Sequence, residues 1–238
     1  MNLSSAAYAD RLNVAVASNF AAPMEEIKKA FESGSNHELV IIRGSSGKHY
    51  AQIRNGAPFD VFLSADQARP LRLMVEGIAI PGTLGTYAMG RLALWSREED
   101  LELGKEYLLN TANYETLAIA NPRLAPYGQA ANEVLDAIGL EAGVNTRMVM
   151  GENIAQTFQF VYSGNADIGL VAYSQTLSPT VRGRGSSWLV PSELHQDIRQ
   201  DMVLLKDSLA AREFAAFMNS DAVRDIFISQ GYVLSDGR

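Results

Sequence analysis

The 238-residue chain contains no cysteine. Disulfides, thiolate metal centres and cysteine nucleophiles are therefore excluded, and the compartment is left open. No apolar run reaches the roughly 20 residues that a membrane-spanning helix requires. Histidine is scarce: His37, His49 and His195 are the only ones, none in a triad-like context or an H-E-x-x-H pair, and each is expected at the surface. Acidic residues are not grouped at the spacing of a Ca²⁺ loop. Positive charge is also short, 20 Lys and Arg against 27 Asp and Glu, for a formal net charge of −7. Nucleic acid and anionic membrane surfaces are poor partners for such a protein. An anionic ligand would have to be drawn in by local dipoles, against the net charge.

What is present is ordinary for a soluble globular protein, with 47% apolar and 20% charged residues. The length suits one large domain or two moderate ones. Leu12, Val14 and Val16 alternate with small or polar residues as in a strand, and Met24, Ile27, Ala30 and Phe31 then recur at helical spacing. Strands are expected at 39–42, 60–63, 92–95, 117–120 and 167–172, with a return strand at 199–205. Helices are expected around Tyr50 and Ile53, around Val134, Leu135 and Ile138 with Gly139 as terminator, over 154–162, and around Phe214 and Val223. The basic, glycine-rich VRGRGSSW after Thr180 reads as an exposed loop. Alternating strands and helices indicate an α/β fold with largely parallel sheet. With no repeat and no low-complexity linker, two lobes joined by crossing strands are expected, with a cleft between them.

Four junctions precede helices: Ser18-Asn19, Ser45-Ser46, Pro126-Tyr127 and Asn153-Ile154. First-turn N–H groups have no intrahelical partner, and a helix start carries about half a positive charge. Serine and asparagine there are ordinary N-caps, but small hydroxyls also let an oxyanion approach the backbone. Several such junctions at the carboxyl ends of strands mark the usual ligand cleft of an α/β protein. The loop RGSSGKHY, after the apolar ELVII, comes close to two other motifs. A P-loop needs a glycine five residues before Gly47 and a hydroxyl after Lys48; the chain has Ile42 and His49. A nucleophile elbow needs G-x-S-x-G, and GSSG lacks that spacing. Nucleotide binding and serine catalysis are both rejected.

The stretches VAVASNF, RGSSGKHYAQIRNGAPFDVFLSAD, TYAMGRLALWS, IANPRLAPYGQAANEVL, SGNADIGLVA and QGYVL occur in an order and spacing that resembles the periplasmic molybdate-binding proteins of ABC transporters. The resemblance runs from about Leu12 to Leu234. It implies a bilobal type II periplasmic-binding-protein fold, with lobe I at 10–86 plus 202–238 and lobe II at 87–201. Residues 1–9, in which Ala7-Tyr8-Ala9 ends like a secretory signal, would be a signal-peptide remnant or a disordered tail. The resemblance also implies molybdate or tungstate as ligand, no cofactor, no catalysis, a membrane permease as partner, a monomer and a periplasmic location. By motif, Ser18 would give a hydroxyl, Asn19 a backbone N–H, and Ser46 both hydroxyl and N–H. Tyr127 and Ile154 would give backbone N–H groups from the second lobe. Ser45 and Asn153 flank these positions, and Tyr173 stands beside the place where some relatives carry a ligand tyrosine. A carrier of sulfate or another tetrahedral oxyanion, or a ligand-sensing regulatory domain of the same fold, is the alternative.

Overall fold

The computed structural model describes residues 10–140 and 147–234, so the expected signal remnant at 1–9 lies outside the described residues. The chain begins with β1 (Arg11–Ala17), a 3-10 turn (Ser18–Phe20), α1 (Ala21–Gly34), β2 (Glu38–Gly44), α2 (Ser46–Arg54), β3 (Val61–Leu63), α3 (Ala68–Val75) and β4 (Gly85–Gly90). A second series holds β5 (Leu92–Ser96), α4 (Lys105–Leu109), β6 (Thr116–Ala120), α5 (Pro126–Ile138), β7 (Arg147–Gly151), α6 (Ile154–Tyr162), β8 (Ile168–Ala172), α7 (Tyr173–Thr176) and β9 (Ser186–Leu189). Then β10 (Ile198–Leu204) returns, followed by α8 (Leu209–Phe217) and α9 (Asp221–Ser229).

Two five-stranded sheets result, ordered β2-β1-β3-β10-β4 and β7-β6-β8-β5-β9. In the first, β1 runs parallel to β2 and β3, while β10 is antiparallel to β3 and β4. In the second, β6 runs parallel to β7 and β8, and β5 is antiparallel to β8 and β9. Each sheet thus has three neighbouring parallel strands, as the strand–helix alternation implies, plus antiparallel pairings where the chain crosses over. It crosses between Gly90 and Leu92 and returns between Leu189 and Ile198. The boundaries expected at 86/87 and 201/202 fall inside β4 and β10.

Each sheet is covered on both faces, so its interior strands are mostly apolar, with Gln200 and Asp201 of β10 as buried polar exceptions. Leu12, Val14 and Val16 pack with Met24, Ile27, Phe214 and Phe227, whereas Ala15 meets Phe62 and Leu73 behind the sheet. In the second lobe Leu94, Leu117 and Ile119 pack with Ala131, Val134 and Leu135. Trp95 stacks on Phe158 with centroids 4.8 Å apart, a core role. Gly139 closes α5 in the left-handed region at φ 77°.

Two expectations are corrected. The segment read as an exposed loop contains β9, whose Ser186, Ser187, Trp188 and Leu189 pair with β5; glycines at 183 and 185 bring the chain to the sheet edge at positive φ. Two of the histidines are buried rather than at the surface. His37 sits beside Glu213, and His49 lies under the sheet with Nε2 3.2 Å from the Val16 carbonyl oxygen.

Candidate functional site

Register places the candidate residues. Ala17 pairs with Gly44, so Ser18 and the Ser45-Ser46 step leave the carboxyl ends of neighbouring parallel strands. Across the cleft Ala120 pairs with Gly151, which sets the loops to α5 and α6 side by side in the same way. The closed arrangement of the lobes brings the two sets together: the Gly47 N–H donates to the Leu124 carbonyl at 2.9 Å, and the Ala155 N–H lies 3.4 Å from Ser18 Oγ. A Cβ on Gly47 would meet Leu124 Cα at 3.0 Å, so that glycine of GSSG serves the close approach of the lobes. Ser18, Asn19, Ser45, Ser46, Tyr127 and Ile154 are all buried there.

Buried N–H groups must be accounted for one by one. At α2, Gly47 donates to Leu124, Lys48 to Ser45 Oγ at 3.3 Å, and His49 to the Ser45 carbonyl at 3.1 Å. Ser46 is left over. Its oxygen accepts from the Ala65 N–H at 2.9 Å, which turns the hydroxyl proton outward as a second donor. At α5, Gly128 and Gln129 donate to the Ala125 carbonyl, and Pro126 has no N–H. Tyr127 is left over. At α6, Asn153 Oδ1 takes the N–H groups of Ala155 and Gln156, and the Asn153 carbonyl takes that of Thr157. Ile154 is left over. Among the described residues, then, each of the three helix starts retains one first-turn N–H without a hydrogen-bond partner, α2 in the first lobe and α5 and α6 in the second, close to the contacts that join the lobes. In the 3-10 turn the Ser18 carbonyl accepts from Ala21, and Ser18 Oγ already accepts from Ala155, so the Ser18 hydroxyl also offers its proton.

The flanking candidates have other work. Ser45 and Asn153 are N-caps of α2 and α6. Tyr173 donates its N–H to the Arg91 carbonyl at 2.8 Å, and its ring lies under the Arg91 guanidinium at 4.5 Å. These contacts set it against Arg91, at the crossover between the lobes.

The local charges are arranged in pairs. Lys48 reaches across the cleft mouth to Glu152 at 2.9 Å, Arg43 pairs with Glu25, and Arg69 with Asp66. The Glu152 carboxylate, the one acid adjacent to the candidate donors in sequence, is thereby held at the exposed rim. Burial lowers the His49 pKa, so the ring is neutral beside the site, and its Nδ1 lies 3.2 Å from the Gln52 carboxamide. A separate interlobe cavity of about 210 Å³ is lined by Asp66, Gln67, Glu133, Asp197 and Arg199; its carboxylates suit a dianion poorly.

Behind the donors lies a buried polar group that sequence reasoning missed. Gln200 of β10 accepts at Oε1 from Asn19 Nδ2 (3.0 Å) and Tyr87 Oη (2.9 Å), and donates from Nε2 to Tyr127 Oη (3.3 Å). Tyr232 donates to the Asn19 carbonyl at 2.9 Å, and its hydroxyl lies 3.2 Å from Ser174 Oγ. The sequence held one sign of this, a Gln-Asp pair inside the otherwise apolar strand IRQDMVL.

The profile of the family "Bacterial extracellular solute-binding protein" matches residues 12–233. The chain is 41% identical to the "Molybdate-binding protein ModA" of Azotobacter vinelandii over 98% of its length and 93% of the relative's. The identity is again 41% to the protein of that name from Rhodobacter capsulatus, over 98% of this chain and 92% of the other. The solved structure of the Azotobacter vinelandii periplasmic molybdate-binding protein superposes with a TM-score of 0.89 at 36% identity, covering 94% of this chain and 99% of that one. The chain therefore belongs to the bacterial extracellular solute-binding proteins, and within them to the family of the molybdate-binding protein ModA.

Proposed function

We propose that the chain captures molybdate, and tungstate with it, outside the cytoplasm and hands it as a closed monomeric complex to the membrane permease of an ABC transporter. The observation that carries this reading is the set of leftover donors supplied by both lobes: the hydroxyls of Ser18 and Ser46 and the N–H groups of Ser46, Tyr127 and Ile154, to which the resemblance adds the Asn19 N–H, with no carboxylate bonded to any of them among the described residues. Molybdate at neutral pH is a fully ionised tetrahedral dianion, which wants donors on every oxygen and no acceptor. Phosphate retains a proton at that pH and would reward an acceptor; Glu152, the nearest carboxylate in sequence, is engaged by Lys48 instead.

Fixed N–H dipoles and helix starts bind such an ion without a counter-charge, even within a chain of net charge −7. Donors come from both lobes, so only closure satisfies the ion, and the ion in turn shifts an open–closed equilibrium towards the closed form. Lobe I comprises β1 to β4 with β10 and the C-terminal helices, lobe II the elements between. Among the described residues neither Ser18 Oγ nor Ser46 Oγ is hydrogen-bonded to a histidine or a carboxylate, so neither hydroxyl has a base to activate it as a nucleophile. Calorimetric titration with molybdate, tungstate, sulfate and phosphate tests the proposal. Molybdate and tungstate are expected to bind far more tightly than the other two; sulfate binding as tightly as molybdate overturns the specificity.

A further inference from the structure

Gln200 is fully buried in the middle of a strand, where an apolar side chain would avoid the cost of desolvating a carboxamide. A register shift between Gln200 and Asp201 interrupts the ladder to β4 at this residue, and irregularities of that kind re-aim a side chain. The direction it takes is informative. One end of the carboxamide holds the side chain of Asn19 in the first lobe; the other holds the hydroxyl of Tyr127 in the second. Both partners are candidate donors to the ligand through their main chains. Asn19 Oδ1 is buried without a hydrogen-bond partner among the described residues, and the Tyr127 side chain faces Asn19. Gln200 thus links the two side chains. Gly90, at the crossover between lobes, makes room for it: a Cβ there would overlap the Tyr127 hydroxyl and lie 2.5 Å from Gln200 Nε2.

We infer that Gln200 is a positioning residue for selectivity. It ties Asn19 to Tyr127 across the cleft, and so holds one donor peptide from each lobe at the separation that suits the larger tetrahedral oxyanions over sulfate. The inference deepens the proposed function and rests on it. Direct donors decide whether a dianion binds; the span between lobes decides which one. Tetrahedral oxyanions of like charge differ chiefly in size, and a rigid span outside the ligand shell is what a size filter needs.

The test uses the full chain with Tyr127→Phe, which removes one oxygen and leaves the backbone donor, beside Gln200→Leu and the double variant. Dissociation constants for molybdate and for sulfate are measured on each by calorimetry. Molybdate affinity is expected to fall about tenfold or more in either single variant. Sulfate should change less, so that the ratio of the two constants contracts, and the double variant should be little worse than either single one because one link is broken in all three. Gly90→Ala should give the same contraction by displacing the pair. Unchanged molybdate affinity, or equal weakening of both anions with the ratio preserved, overturns the assignment; so do additive losses. If Gln200→Leu fails to fold, Tyr127→Phe and Gly90→Ala decide alone. An unaltered chain that binds neither anion overturns the proposed function, and this inference with it.

Discussion

At the scale of single residues, a donor matters according to what else it already does. Ser46 Oγ accepts from the Ala65 N–H, so its proton has one direction left to go. Ser46→Ala should weaken molybdate binding by about 1–3 kcal/mol, the range for leaving a charged acceptor unpaired; calorimetry that finds the same dissociation constant removes Ser46 from the site. His49 gives a pH dependence with a definite sign. Its pKa is lowered by burial, so the unfolded chain binds the proton more readily than the folded one. Stability is full above the ordinary histidine pKa near 6.5 and falls as pH drops through that value towards the lowered one. Urea midpoints measured between pH 7 and 5 should fall less in His49→Gln than in the parent chain. Ser18 and Ser46 stand out in the sequence because small hydroxyls at the junction between an apolar run and a helix are a local pattern. Gln200 was not, since its partners Asn19, Tyr87 and Tyr127 are far from it along the chain and only the fold assembles them.

At the scale of elements, caps and leftover N–H groups are two sides of one geometry. Asn153 Oδ1 satisfies Ala155 and Gln156, and that commitment sets the Ile154 N–H apart. Asn153→Ala should therefore cost about 1 kcal/mol of stability, which for a chain of this size lowers Tm by about 2–4 °C. Asn153→Asp keeps the cap, so thermal melting should stay close to the parent while molybdate affinity falls through repulsion; a variant that melts normally and binds normally contradicts the placement of α6 against the ligand. Elements with clear periodicity, such as β1, α5 and α6, were readable in advance. β9 was hidden because Arg182 and Arg184 with two glycines look like loop, and its pairing with β5 depends on a partner about ninety residues earlier. β4 was hidden by glycines at both ends of GTYAMG, one of which, Gly90, is there to admit Tyr127.

At the scale of the whole molecule, the two lobes touch where Gly47 meets Leu124 and Ala155 meets Ser18, and the proposed donors come from both. The rim pair Lys48–Glu152 is half-exposed, and such pairs add little to stability. Its influence should appear in the rate of capture: Lys48→Met uncovers the Glu152 carboxylate at the mouth and should slow molybdate association several-fold at low ionic strength. The difference should vanish near 1 M salt, where the screening length is about 3 Å. Stopped-flow rates across a salt series measure it, and a salt-independent difference would point to altered closure instead. The central claim, that one tetrahedral dianion sits between the lobes on main-chain and serine donors, has a direct readout. Crystals grown with molybdate, measured at the molybdenum absorption edge, should show one strong anomalous peak within hydrogen-bonding reach of Ser18, Asn19, Ser46, Tyr127 and Ile154. A peak elsewhere, or none at saturating molybdate, would contradict the account.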